Sequence, residues 1–178
     1  MSVRILAISG SLQLASSNTA LLRVAAATAP DGVTIELYDG IRDLPHFDPD
    51  LDGAEPPPGI ADLRARIVAA DSVLFSTPEY AHALPGALKD TLDWLVGSGE
   101  LIDKPVAVMS ASPGLDGGKM AGDALATLLE VMSARVVAQL AVGATRSKRD
   151  EQGDFTDLDT LAAVADLVRT LAAAVRGT

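Results

Sequence analysis

The chain has 178 residues, of which 48% are hydrophobic and only 3% aromatic, and its formal net charge is −10. We expect one domain over residues 1–178, because a chain of this length buries a core of its own, here built from small aliphatic side chains. The acidic charge disfavours nucleic acids and anionic membranes, which are bound through Lys and Arg, and the absence of cysteine excludes disulfides, thiolate nucleophiles and iron–sulfur clusters.

The first predicted element is a buried strand over Val3–Ser9, an apolar run that ends too early for a signal peptide. A helix over residues 18–29 and an alternating strand over Val33–Tyr38 follow, which completes a βαβ unit. No stretch approaches the roughly 18 apolar residues that span a bilayer, so we expect no membrane span. The lack of cysteine fits a reducing compartment, so we expect a cytoplasmic protein.

Residues 39–58 form an acidic, proline-rich connection that is too long for a simple turn. We expect this segment at the surface or in a subunit contact. A helix over residues 60–70 follows, with Val68 on its inward face beside two other aliphatic residues. The apolar run Ser72–Thr77 then predicts a central strand.

The second half of the chain continues the alternation of helices and strands. A helix that begins near Pro85, with Val96 on its predicted apolar face, leads to a strand over residues 106–110. A further helix leads to a weaker strand over residues 135–141. A 3-4-3-4-3 spacing gives the C-terminal helix an apolar face of Leu158, Leu161, Ala165, Val168, Ala172 and Val175. The whole pattern predicts an α/β fold in which helices cover both faces of a parallel sheet.

The first loop, residues 10–18, has the composition of an anion-binding loop. A helix that starts directly after a strand leaves backbone N–H groups without partners and points the positive end of its dipole at the loop. Gly10 permits close approach of the backbone, and four side chains can donate hydrogen bonds: Ser11, Ser16, Ser17 and Asn18. An ordinary N-cap needs only one such side chain, so this loop is predicted to bind a phosphate.

Two further loops rich in small residues follow the third and fourth predicted strands: the second loop, residues 78–84, and the third loop, residues 111–118. The carboxyl ends of parallel strands meet at one edge of a sheet, so we expect all three loops to line one crevice. A loop that binds phosphate, with two more loops that could flank a flat ring, predicts a mononucleotide as the ligand.

Three motifs resemble the NADPH-dependent FMN reductase family, which includes quinone and chromate reductases. They are the first loop, the Pro-Glu-Tyr…Pro-Gly…Leu-Lys…Asp-Trp pattern of residues 78–94, and residues 110–118. The resemblance implies a flavodoxin-like, doubly wound five-stranded sheet of order 2-1-3-4-5. It also implies bound FMN that is reduced by NADPH or NADH and reoxidised by a quinone, free flavin or another small acceptor, in a homodimer or homotetramer.

The same resemblance implies where FMN is held. Ser11, Ser16 and Asn18 match residues that hold the phosphate, the start of the second loop matches residues along the isoalloxazine ring, and residues 110–114 meet the flavin from the other side. The chemistry takes place at flavin N5, so no catalytic side chain is expected. The implied cofactor-binding residues are Ser11, Gln13, Ser16, Ser17, Asn18, Pro78, Glu79, Tyr80, Ala81, Ser110, Ala111, Ser112 and Gly114.

Two positions depart from the family pattern. Gln13 stands where the family has Arg, which removes a charge-assisted contact to phosphate, and Ala81 stands where it has Asn, which removes a hydrogen bond near the flavin. Loss of one charged hydrogen bond costs about 1.5–3 kcal/mol, which weakens binding about tenfold to a hundredfold. A noncatalytic or electron-carrier relative with weakened FMN binding is therefore the second hypothesis.

A serine hydrolase with Ser11 as nucleophile is the third hypothesis, and it needs a nearby base. The two histidines, His46 and His82, both lie in the first half of the chain. Serine hydrolases of similar topology place their catalytic histidine near the C-terminus. We therefore interpret His82 as a residue of the cleft wall.

Other polar groups have structural interpretations. Lys89 and Asp93 form a helical i,i+4 pair, and Trp94 is expected in the core or in a subunit contact. Residues 48–53 imitate the start of a calcium-binding EF-hand loop, but its twelfth position is Gly59 instead of Glu. We expect a solvated acidic loop there and no metal site.

Overall fold

The computed structural model of this chain describes residues 2–177, which contain a five-stranded parallel sheet of order β2-β1-β3-β4-β5. The strand order and the parallel pairing confirm the predicted α/β fold, and the predicted bounds of the first three strands coincide with the observed ones. The strands are β1 (Val3–Ser9), β2 (Val33–Tyr38), β3 (Ser72–Thr77), β4 (Pro105–Ala111) and β5 (Arg135–Val142). The helices are α1 (Ser17–Ala27), α2 (Pro58–Ala69), α3 (Gly86–Val96), α4 (Lys119–Val131) and α5 (Leu158–Arg176).

The helices cover both faces of the sheet. Side chains of α2, α3 and α4 pack on one face of β1, β3 and β4, and side chains of α1 and α5 pack on the other. Every residue of β3 and β4 is buried, whereas the two edge strands β2 and β5 alternate between covered and exposed positions. This burial gradient explains why the central strands read as nearly continuous apolar runs. In residues 2–177, none of the helices combines the length and hydropathy needed to cross a membrane.

Two predicted inward positions are wrong. Val68 on α2 is 67% exposed and Val96 at the end of α3 is 58% exposed. Each directly follows a position of the buried stripe, since Ile67 and Leu95 are covered. The next residue along a helix is rotated by about 100°, which carries these two valines onto the outer face.

The apolar face of α5 also differs from the predicted one. Leu158 is 79% exposed because it is the first residue of the helix, directly after the N-cap Asp157, and it lies outside the buried stripe. The buried apolar positions are Val164, Leu167, Val168, Leu171 and Ala172. These follow an i, i+3, i+4 pattern, so Leu167 and Val168 lie on the same buried face, as do Leu171 and Ala172. The predicted 3-4 spacing includes only one residue of each pair.

The segment of residues 39–58 is folded onto α3. The indole Nε1 of Trp94 donates a hydrogen bond to the carbonyl of Pro45 at 3.0 Å, and the Phe47 ring meets the indole edge-on with 5.1 Å between ring centres. Arg64 of α2 pairs with Asp52 at 2.6 Å. Trp94 is fully buried by its own chain, which confirms the core position expected for it.

Candidate functional site

The loops after β1, β3 and β4 line one cleft of about 240 Å³ at the carboxyl edge of the sheet. The fold therefore brings together most of the residues that the sequence singled out, and it adds Pro113. The lining residues are Ser11, Gln13, Ser16, Ser17, Asn18, Pro78, Glu79, Tyr80, Ala111, Ser112 and Pro113. Three predicted residues, Ala81, Ser110 and Gly114, are not among them.

Helix α1 begins at this cleft with two unpaired amides. The hydroxyl oxygen of the N-cap Ser16 accepts hydrogen bonds from the backbone N–H groups of Asn18 at 3.1 Å and Thr19 at 3.3 Å. The backbone N–H groups of Ser16 and Ser17 have no acceptor among residues 2–177. These two donors lie at the positive end of the helix dipole, an arrangement that suits an anion.

Asn18 lies under the three loops and ties them together. Its Oδ1 accepts a hydrogen bond from the Ser76 hydroxyl at 2.9 Å, and its Nδ2 donates to the carbonyl of Ala111 at 3.1 Å. The side chain is only 2% exposed. One of its two Nδ2 hydrogens remains for a ligand, so the main contribution of Asn18 is to hold α1, β3 and β4 together at the cleft.

The start of the first loop is fixed by short-range hydrogen bonds and by close packing. The Ser9 hydroxyl accepts from the Ser11 amide at 3.3 Å, and the Ser11 hydroxyl accepts from the Gln13 amide at 3.3 Å. A Cβ on Gly10 would lie 2.8 Å from Cδ2 of Leu88 on α3. Close packing against α3 therefore favours glycine at this position.

The carboxylate of Glu79 is engaged within the protein. Its Oε2 accepts a hydrogen bond from the amide of Ala121 at 3.2 Å, and its Oε1 lies 3.1 Å from Nδ1 of His82. Ala121 belongs to the first turn of α4, so Glu79 caps that helix from the second loop. Its negative charge interacts favourably with the positive end of the helix dipole. The neighbouring Tyr80 is 53% exposed and forms the rim of the cleft.

The second loop contains a strained turn. Tyr80 and Ala83 exchange backbone hydrogen bonds of 3.1 and 3.0 Å, and the residues between them, Ala81 and His82, have φ values of 51° and 60°. This left-handed pair is the geometry of a type I′ turn, which favours Asn followed by Gly. An Asn at position 81, as in the family pattern, would therefore suit this backbone better than Ala does.

Ser110 and Gly114 do not line the cleft. Ser110 belongs to β4, and the alternation of the strand turns its side chain toward Gly122 of α4, beside a separate groove of about 300 Å³. The carbonyl of Gly114 accepts hydrogen bonds from the amides of Gly117 at 3.4 Å and Ala144 at 2.9 Å. Its neighbours Ala111 and Ser112 do line the cleft.

The structure also places a residue beside the site that sequence reasoning missed. Arg149 donates from Nη1 to the hydroxyl of Ser17 at 2.7 Å, across a separation of 132 residues. No motif or spacing near Arg149 indicates this contact, which exists only because the chain returns to α1 after β5.

The histidines and the acidic loop have other partners. His46 lies 3.4 Å from Asp90 and His82 contacts Glu79, so in residues 2–177 neither one pairs with Ser11 and the hydrolase hypothesis lacks its base. Asp48 caps a short 3₁₀ turn by accepting the amide of Asp50 at 2.9 Å. Within the described residues, no group of three or more His, Asp and Glu side chains could hold a metal ion.

The family model described as NADPH-dependent FMN reductase matches residues 3–148 of this chain. The NAD(P)H-dependent FMN reductase PA1204 of Pseudomonas aeruginosa is 40% identical over 114 residues, which cover 63% of this chain and 61% of that protein. The quinone reductase of Escherichia coli K12 is 31% identical over 165 residues, which cover 89% of this chain and 88% of that protein.

Solved structures agree with these sequence matches. FerB, a flavoenzyme NAD(P)H:(acceptor) oxidoreductase from Paracoccus denitrificans, superposes with a TM-score of 0.85 at 28% identity and covers 98% of both chains. A flavodoxin from Pseudomonas aeruginosa superposes with a TM-score of 0.61 at 16% identity, covering 96% of this chain and 99% of that one. The fold is therefore flavodoxin-like.

Proposed function

The chain belongs to the NADPH-dependent FMN reductase family, and on that premise we propose that it is an FMN-dependent NAD(P)H oxidoreductase. In this proposal electrons pass from NADPH or NADH through bound FMN to a quinone, free flavin or another small acceptor. The observation that carries it is the convergence of three loops on one cleft beside the unpaired amides of Ser16 and Ser17.

The residues at the cleft fit the two ends of FMN. The first loop, residues 10–18, carries no charged side chain, and its free amides and hydroxyls suit a phosphate. No carboxylate of that loop opposes the anion. Pro78, Tyr80 and Pro113 add apolar surfaces at the second and third loops, which suit a flat aromatic ring.

We propose a division of labour among the cleft residues. The first loop, with Ser11, Ser16 and Ser17, holds the phosphate, while Pro78 and Tyr80 face the ring from the second loop. Backbone groups of Ala111 and Ser112 face it from the third loop. When bound, FMN supplies a hydride acceptor at N5. The protein binds and orients it, limits access of water and leaves space for the second substrate.

The size of the cleft bears on how the second substrate arrives. Its volume of about 240 Å³ is below the range of about 300–1,000 Å³ that is typical of sites enclosing a small molecule. We expect one side of the ring to remain accessible at the rim near Tyr80. An accessible ring is what a reductase needs when nicotinamide and acceptor occupy the same face in turn.

The proposal is tested by reconstitution and turnover. After incubation with FMN and desalting, the protein should keep the visible absorption bands of flavin, and it should then oxidise NADPH or NADH steadily with a quinone present. A colourless protein after desalting contradicts the proposal. A coloured protein without steady turnover favours the electron-carrier hypothesis, for which the departures at Gln13 and Ala81 are the remaining support.

We further propose that residues 1–178 act as one domain, in a homodimer or homotetramer of the cytoplasm, where NADPH and NADH are supplied. Large apolar side chains are exposed near the cleft, with Tyr80 at 53%, Leu115 at 93% and Met120 at 53% exposure. Exposed apolar side chains of this size would be covered by contact with another subunit. Sedimentation velocity measures the assembly directly, and a monomer at micromolar concentration contradicts it.

A further inference from the structure

The proposed phosphate site lacks an obvious source of positive charge. The chain has a formal net charge of −10, and the first loop, residues 10–18, contains neither Lys nor Arg. In the part of the chain that the structure describes, two guanidinium groups donate hydrogen bonds to this loop. Arg42 donates to the carbonyl of Leu12, and Arg149 donates to the carbonyl of Ala15 at 3.4 Å and to the hydroxyl of Ser17 at 2.7 Å.

The two contacts differ in what they reach. Arg42 lies on the side of the loop that faces Tyr38, where it lines a neighbouring pocket that shares Ser11 and Gln13 with the cleft. Arg149 reaches Ser17, which lines the cleft and whose amide is one of the two donors without an acceptor among residues 2–177. Of the two guanidinium groups, Arg149 is therefore the one at the α1 end of the loop, where the phosphate is proposed to bind.

The hydrogen bond from Arg149 also orients Ser17. Because Oγ of Ser17 accepts from the guanidinium, the hydroxyl hydrogen is free to donate to another acceptor. Arg149 uses three of its five N–H donors, on Gly153, Ser17 and Ala15, which leaves two without an acceptor among residues 2–177.

A short hairpin holds Arg149 in this position. Arg149 and Phe155 form an antiparallel bridge, the guanidinium lies 5.9 Å from the centre of the Phe155 ring, and Nε donates to the carbonyl of Gly153 at 2.5 Å. Gly153 has a φ of 87°, and a Cβ there would lie 2.6 Å from Nη2 of Arg149. Because Gly153 has no side chain, the guanidinium of Arg149 can pack directly against the turn.

We propose that Arg149 supplies the positive charge of the phosphate site and orients the Ser17 hydroxyl toward the phosphate, in place of the Arg that Gln13 replaces. The inference rests on the proposed function. It does not follow from the family match, which ends at residue 148, one position before Arg149.

The test compares two ligands that differ only in the phosphate. Dissociation constants of FMN and riboflavin are measured from flavin fluorescence for the wild type and for Arg149→Gln. We expect FMN binding to weaken about tenfold to a hundredfold, as for loss of one charged hydrogen bond, while riboflavin binding stays unchanged. Unchanged riboflavin binding also reports that the variant is folded.

Three further variants complete the design. Arg146→Gln removes the same charge from the neighbouring exposed turn and should change neither constant. Arg42→Gln removes the other guanidinium that contacts the loop and should leave the ratio of the two constants unchanged. Adding Gln13→Arg to Arg149→Gln should restore preferential binding of FMN.

Each contrary result has a distinct meaning. Wild-type protein that binds neither ligand overturns the proposed function and this inference with it. Wild-type protein that binds FMN, with Arg149→Gln binding it equally well, overturns the inference alone. Equal weakening of FMN and riboflavin binding in Arg149→Gln shows a structural role for Arg149. Selective weakening of FMN binding in Arg42→Gln shows that Arg42 supplies the charge. Both results also overturn the inference.

Discussion

The first loop, residues 10–18, and the second loop, residues 78–84, both follow buried strands and both resemble flavin-binding motifs, yet they use their polar groups differently. Within residues 2–177, the first loop leaves the amides of Ser16 and Ser17 without acceptors. In the second loop, the Glu79 carboxylate accepts a hydrogen bond from the amide of Ala121, and two residues have left-handed conformations. Residue type alone therefore does not identify a ligand donor, because the surrounding backbone decides which groups remain available.

The largest expected effect comes from placing a negative charge in the first loop. Ser11→Asp sets a carboxylate beside the proposed phosphate, and two like charges about 4 Å apart repel by about 4 kcal/mol at an effective dielectric constant of 20. We expect FMN binding to weaken about a thousandfold. Equilibrium dialysis measures the retained FMN. Leu14→Asp adds the same charge at a position that is 94% exposed and should have a much smaller effect; equal retention by Ser11→Asp and wild type would place the phosphate elsewhere.

A substitution at Gly10 tests how the first loop is supported. Its new Cβ would lie 2.8 Å from Leu88, so Gly10→Ala should lower the free energy of unfolding by about 1–3 kcal/mol, as for an overpacked core. Urea unfolding measures the change. Gly86→Ala is the matched control, because a Cβ at Gly86 meets no atom within 4 Å. Equal stability of the two variants contradicts the packing role of Gly10.

A substitution at Ala81 tests the strain in the second loop. Asn tolerates the left-handed conformation better than Ala, so Ala81→Asn should raise the free energy of unfolding by about 0.5–1 kcal/mol. FMN affinity should not change, because Ala81 does not line the cleft. Thermal unfolding provides the measurement, and Ala83→Asn, two residues later and outside the left-handed pair, is the control. A gain in FMN affinity without a gain in stability would favour the interpretation that Asn at this position donates a hydrogen bond near the flavin.

The smallest effect concerns pH and the helix behind the Arg149 hairpin. Hydrogen bonds from the hydroxyl and then the amide of Thr160 lower the pKa of Asp157, the N-cap of α5. Its folded-state pKa lies below the unfolded value of about 3.9, so this contribution is present above that pH and is lost as pH falls through the folded value. Asp157→Asn should flatten the acid side of the stability profile. An unchanged slope would mean that the cap does not contribute.

The sequence predicts the sheet well and the site less completely, for physical reasons. Short buried strands such as Ser72–Thr77 are marked by local apolar runs, and the amides of α1 follow from local connectivity. The contact of Arg149 with Ser17 and the capping of α4 by Glu79 join distant parts of the chain, so no local pattern encodes them. The exposed Leu158 could not be predicted either, because residue spacing shows which positions share an apolar face but not at which residue that face first contacts the sheet.

The carboxamide of Asn18, bonded to Ser76 and to Ala111, has a kinetic consequence. These hydrogen bonds hold α1, β3 and β4 in place before any nucleotide binds, so little conformational entropy remains to be lost on association. Capture of FMN should then be a single step whose observed rate rises linearly with nucleotide concentration, without the plateau of a preceding isomerisation.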